Sequence, residues 1–216
     1  MQITPAILPH SFNEITEKLS RVSGICSRVQ IDLCDGVFGL EKTWLPNGSE
    51  HLPEGFEYEF DLMLNNWIEY VPLCIKLGAK RIVMHTDFFN EMDCNNLLSI
   101  LKGTDTELGI AVSNNFPIEK HIDLIKLFRE KYHNVFVQLM GIRQVGKQGE
   151  PFDDAVIGRI IKIKQTLPSI FIQIDGSVNN TTAKIVKEAG ADIIVSGSYI
   201  FNQKNPKVAI DFLKNI

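Results

Sequence analysis

Eight times along this chain a short apolar, β-rich run is followed by a segment of helical or turn character. The strand candidates are residues 3–8, 28–34, 57–64, 81–85, 107–112, 134–140, 170–175 and 192–196. Several are nearly continuous in apolar residues, as parallel strands covered on both faces require. Helical periodicity fills the gaps: Ile118, Ile122, Ile125 and Phe128 share one face, with Glu119, Lys120, Lys126 and Glu130 largely opposite. Asn179-Asn180-Thr181 offers cap chemistry for a helix ending at Gly190, and Pro206 suits the first turn of the last helix. Alternating units leave a closed barrel or a doubly wound open sheet. No GxGxxG turn follows the first strand, where Pro9-His10-Ser11 stands instead. Eight units within 216 residues predict a single-domain (β/α)8 barrel of the TIM type over residues 1–216, closed around an apolar interior.

Composition narrows the function classes. A net charge of −4 argues against nucleic acid or an acidic membrane surface as partner, whereas local backbone dipoles can still bind a small anion. Cys26, Cys34, Cys74 and Cys94 show no metal-ligand spacing and read as reduced cysteines of a cytoplasmic protein. Residues 1–5 lack the charged and apolar runs of a signal peptide, and no apolar stretch is long enough to span a bilayer. The sequence leaves the oligomeric state open, a homo-oligomer included.

In such a barrel the chemistry gathers at the C-terminal ends of the strands. Gln30, Asp32 and Cys34 share one face of the second strand, Asp61 lies in the third and Asp175 ends the seventh. Three carboxylates facing one interior repel one another and need a cation or a shared proton. Gly176-Ser177 after the seventh strand and Gly197-Ser198 after the eighth stand where this fold repeatedly binds phosphate. The polar loop Arg143–Pro151 could close over a ligand, with Lys147 or Arg143 reaching an anion. His85 ends the fourth strand and is a candidate for substrate contact, as is Lys147. Trp44 and Trp67 read as packing residues.

At these residues the chain resembles the ribulose-phosphate 3-epimerase family. Gln30-Ile31-Asp32-Leu33-Cys34-Asp35-Gly36-Val37-Phe38 is similar to its His-x-Asp-x-Met-Asp-Gly-x-Phe motif, and Asp61-Leu62-Met63-Leu64 stands for His-Leu-Met-Val. Gly109-Ile110-Ala111-Val112, Ile174-Asp175-Gly176-Ser177-Val178 and Val195-Ser196-Gly197-Ser198 continue the likeness in order.

The resemblance implies a ribulose-phosphate-binding barrel, an isomerase of the pentose phosphate pathway acting on a small phosphorylated sugar. In that reading Asp32 and Asp175 are the catalytic acid/base pair that inverts C3, between ribulose 5-phosphate and xylulose 5-phosphate. Met63 joins the substrate contacts. A divalent metal would be held by Gln30, Asp32, Asp61 and Asp175. Gln30 and Asp61 replace the family's two histidines, so the set offers only oxygen and suits magnesium or manganese better than zinc or iron. Two alternatives stand beside the epimerase: a phosphosugar aldolase or decarboxylase on the same fold, and a non-catalytic phosphosugar-binding barrel. The Asp-x-Lys-x-x-Asp strand of related synthases and decarboxylases is missing from Asp32-Leu33-Cys34-Asp35.

Overall fold

The computed structural model describes residues 1–147 and 149–216. Its strands are β1 (Gln2–Ile7), β2 (Arg28–Cys34), β3 (Glu57–Met63), β4 (Ala79–His85), β5 (Glu107–Val112), β6 (Val135–Met140), β7 (Ile172–Asp175) and β8 (Ile193–Ser196). All pair in parallel with their sequence neighbours, and β8 returns to β1 to close the barrel. The helices are α1 (Phe12–Val22), α2 (Trp67–Lys76), α3 (Glu91–Leu101), α4 (Ile118–Lys131), α5 (Ala155–Thr166), α6 (Thr182–Ala189), the short α7 (Ser198–Phe201) and α8 (Pro206–Lys214). The predicted strands agree with these to within two residues at each end.

Local chemistry sets the helix ends. Ser11 accepts from the Glu14 N–H to start α1, and Asn90 and Asp93 exchange side-chain bonds in a capping box on α3. Gly190 ends α6 at φ 114°, a left-handed value that glycine adopts without steric cost. Pro206 opens α8 beside the Asn205 cap.

The main apolar core lies between the barrel wall and the helices. Outward-facing Ile7, Ile31, Leu33, Phe60, Leu62 and Ile82 pack with helix residues such as Val71, Leu97, Ile125, Phe128, Ile160 and Ile210. Full burial of each such side chain contributes roughly 1.5–3 kcal/mol.

The inside of the barrel differs from expectation. In place of a fully apolar filling it holds Gln30, Glu59, Asp61, Arg81, His85, Gln138 and Gln173, all buried. Inside, apolar side chains cluster in two small groups, Leu8–Cys34–Met63 near the mouth and Val83–Ala111–Phe136 lower down. Arg81 anchors the polar set: Nη1 lies 2.6 Å from Glu59 Oε2 and 3.0 Å from Gln173 Oε1, and Nε lies 3.1 Å from Glu107. Its guanidinium covers the Phe136 ring at 3.5 Å. Gly109 makes room for that ring, since a Cβ there would sit 2.4 Å from Phe136 Cζ.

A buried carboxylate stripped of its cation is among the costliest single defects a fold can carry. Arg81→Met should therefore destabilise the chain by about 3–5 kcal/mol in denaturant unfolding, and adding Glu59→Gln should recover part of that loss. Additive losses in the double variant would show that the pair is not coupled.

Candidate active site

Strand register brings the aspartates together. Asp32 on β2 sits directly beside Asp61 on β3, and Asp175 ends β7 across the barrel. One carboxylate oxygen from each lies within 4.8 Å of the others. Asp61 is fully buried, while Asp32 and Asp175 are half-buried on a cavity of about 110 Å³ at the barrel mouth. Ala6, Leu8, Met63, Met140, Ile142, Lys147 and the turns 176–177 and 197–198 complete its wall.

Burial, and then the charges of Asp175 and Asp61, raise the Asp32 carboxyl well above its ordinary range, against the lowering effect of the Gln30 amide. Burial and Asp61 push Asp175 up to about 7, opposed by hydrogen bonds from Gln30 and the Gly176 N–H.

The other predicted residues divide. Met63 and Lys147 line the cavity, with Lys147 paired to Glu150 at 2.6 Å. His85 does not line it: its Nε2 lies 2.9 Å from Asp61 Oδ1 and its ring meets Phe38 edge-on. Burial lowers the affinity of this imidazole for a proton, but the charge and hydrogen bond of Asp61 outweigh that and hold its pKa above the usual value. Arg143 turns to Asp153 at 2.9 Å. Gln148, within the predicted loop, lies outside the described residues.

Gln30 is oriented differently from the expected carbonyl ligand. Its Nε2 donates to Asp32 Oδ1 at 2.8 Å and lies 3.3 Å from Asp175 Oδ2, so an N–H donor and not an oxygen faces the carboxylates. The donor set therefore fits a hard divalent cation through the three aspartates, without a fourth oxygen from Gln30 as it sits. Asp35, also in the motif, is occupied locally, accepting from the N–H groups of Val37, Phe38 and Asn65.

The two small-residue turns flank the same cavity. Gly176 (φ 105°) and Ser177 (φ 53°) both hold positive φ, a tight turn whose glycine lets the backbone approach a bound group closely. Ser177 is the one described non-glycine residue with positive φ, a cost carried at the site itself. A Cβ on Gly176 would meet Ile142 at 2.8 Å. Among the described residues, neither the Ser177 nor the Gly197 amide donates to a backbone carbonyl. The loop after β6 folds over this side: Ser177 Oγ donates to Glu150 O, and Leu40 and Glu41 donate to Val145 O and Gly146 O.

Sequence reasoning missed Glu59, Arg81, Gln138 and Gln173. Gln138 Nε2 donates to Asp61 Oδ2 at 2.7 Å, and Gln173 Nε2 donates to Gln138 Oε1 and Glu59 Oε1, both at 2.7 Å. The alternation that groups Gln30 with Asp32 also groups Gln173 with Asp175, and a glutamine amid apolar strand residues was the available signal.

A carboxyl raised from 3.8 to about 7 destabilises the fold wherever the unfolded chain is ionised. The penalty is full above pH 7 and disappears as pH falls toward 4, because the folded state then takes up the proton. With chelator present, Asp175→Asn should unfold at higher denaturant than wild type at pH 8, by about 1–4 kcal/mol, with the gap closing toward pH 4. An Asn variant less stable than wild type at pH 8 would contradict this electrostatic account.

Comparison with known proteins assigns the family. The Ribulose-phosphate 3 epimerase family matches residues 2–201. A ribulose-phosphate 3-epimerase of Helicobacter pylori (strain J99) is 28% identical, the alignment covering 100% of this chain and 98% of that protein. The Bacillus subtilis enzyme of the same name is 23% identical, covering 99% and 98%. Among solved structures, 3-hexulose-6-phosphate synthase from Salmonella typhimurium aligns at a TM-score of 0.69 and 13% identity, over 100% of this chain and 97% of that one. KGPDC from Streptococcus mutans, in complex with D-R5P, aligns at 0.68 and 10%, over 99% and 95%. These last two share the barrel fold. Matched along nearly its whole length, the chain belongs to the ribulose-phosphate 3-epimerase family, isomerases acting on carbohydrates.

Proposed function

We propose that this protein interconverts ribulose 5-phosphate and xylulose 5-phosphate by moving a proton at C3 between Asp32 and Asp175. The observation that carries this is the placement of these two carboxylates, from β2 and β7, on one small cavity. Inverting a carbon by proton transfer needs one group to remove the proton and another to return it on the opposite face. One must be ionised and the other protonated. Burial and the Asp61 charge favour such a divided state, and a carboxyl at about 7 exchanges protons efficiently near neutral pH.

The amides of Gly176, Ser177, Gly197 and Ser198 would hold the phosphate, with Lys147 at the rim and Met63 beneath the sugar. A phosphosugar as ligand agrees with the D-R5P bound by the Streptococcus mutans barrel. Asp32, Asp61 and Asp175 would hold a divalent cation, magnesium or manganese in preference to zinc or iron because the ligands are hard oxygens. Such an ion supplies positive charge where negative charge develops on the substrate oxygens. We place the reaction in the cytoplasm: the rice relative is named a cytoplasmic isoform, and among the described residues no helix is long and apolar enough to cross a membrane.

The test is proton exchange and turnover on ribulose 5-phosphate in deuterated water, after chelation and after add-back of single metals. Asp32→Asn and Asp175→Asn should each lower turnover by about 10²–10⁴-fold. Asp61→Asn should chiefly weaken manganese binding measured by dialysis. Turnover unchanged in both catalytic variants would overturn the mechanism, and absence of wild-type turnover across phosphorylated ketoses would favour a non-catalytic sugar-binding barrel.

A further inference from the structure

Beneath the three aspartates, the buried polar groups form a relay whose direction is determined at its lower end. Arg81 has only donors, so the Gln173 atom that meets Nη1 at 3.0 Å must be its oxygen. The Gln173 nitrogen then faces Glu59 Oε1 at 2.7 Å, Gln138 Oε1 at 2.7 Å and Gln30 Oε1 at 3.4 Å. With their oxygens turned down toward Gln173, Gln138 and Gln30 have their N–H groups turned up. Gln138 donates to Asp61 Oδ2 at 2.7 Å, while the Gln30 nitrogen lies 2.8 Å from Asp32 and 3.3 Å from Asp175. Reversing any one amide would set oxygen against oxygen, or nitrogen against nitrogen, at two contacts within the barrel. Glutamine orientation is here a consequence of the ion pair below it.

We propose that Gln173 and Gln138 are positioning residues: they transmit the donor polarity of Arg81 upward, so that Gln30 and Gln138 present N–H donors, and no carbonyl oxygen, to the aspartates. Gln30 thereby orients the two proton-transfer carboxylates toward each other and takes no part as a metal ligand. Among the described residues Gln173 makes no hydrogen bond to the three aspartates, so it is the place to break the relay one step away from them.

Three variants separate direction from simple packing. Gln173→Glu keeps the shape and removes the donor. Pairing it with Glu59→Gln restores one carboxylate and one amide beside Arg81, yet leaves no N–H at position 173 to orient Gln30 and Gln138. The double variant should recover most of the thermal stability lost by Gln173→Glu alone, while kcat stays about 10–100-fold low and KM stays within threefold of wild type, the size usual for residues that orient site groups. Recovery of kcat together with stability would reduce the relay to charge balance and overturn the proposal. As third variant, Asp61→Asn probes the relay spectroscopically.

The kinetic arm rests on the function proposed above; the spectroscopic arm does not. In nitrogen-15 correlation spectra of metal-free protein, Asp61→Asn should shift the side-chain N–H signals of Gln138 upfield, because a charged acceptor is lost. Signals of Gln138 that stay in place would overturn the relay whether or not the double variant folds. If wild-type turnover is absent, the proposed function falls and the spectrum alone decides the relay.

Discussion

Everything at the mouth of this barrel follows from the repulsion among three carboxylates held where water is scarce. Mutual charge and lost hydration raise Asp32 and Asp175. The same repulsion explains why Asp61 is enclosed by donors, with His85 on one oxygen and Gln138 on the other. The proposed proton transfer, the proposed cation and the polar interior would each accommodate the same electrostatic problem. A chain whose only aim was stability would remove one of the three charges.

That problem also accounts for the departure from an ordinary barrel filling. Branched aliphatic side chains stacked in layers would satisfy the volume, but they would leave Asp61 with no donor beneath it. This chain fills the middle with amides, which donate and accept at once, and terminates the column on Arg81 and Glu59. The apolar contribution to stability is displaced to the outside of the wall, where β-strands meet helices. Inside and outside thus have separate roles, polar order within and hydrophobic burial without.

How much of this was legible in the sequence depends on the range of the interactions. Strands, caps and the eight-fold alternation are local, and β2 and β5 were read to the residue. Asp32, Asp61 and Asp175 could be placed on one interior because parity along a strand survives folding. What could not be read was contact across the barrel: that His85 turns to Asp61 away from the cavity, that Arg143 spends its charge on Asp153, and which way an amide points. Side-chain amides carry no orientation in the sequence, since nitrogen and oxygen are chosen by neighbours distant along the chain. An apolar interior does not form because the inward parity that carries the three aspartates also turns Glu59, Gln138 and Gln173 inward, residues that look ordinary within their own strands.

The meeting of the loops after β2 and β6 has a separate consequence. Gly146, at φ 70°, comes so close to Gly39 that a Cβ on it would lie 2.6 Å from the Gly39 Cα, and the two segments share two backbone hydrogen bonds through Val145 and Gly146. Neither loop is an independent module. A chimera that imports a β6 loop from a relative inherits a surface shaped for that relative's β2 loop, and loses the glycine contact that joins the two here. Recombination and loop grafting on this scaffold should treat residues 36–41 and 143–151 as one heritable unit.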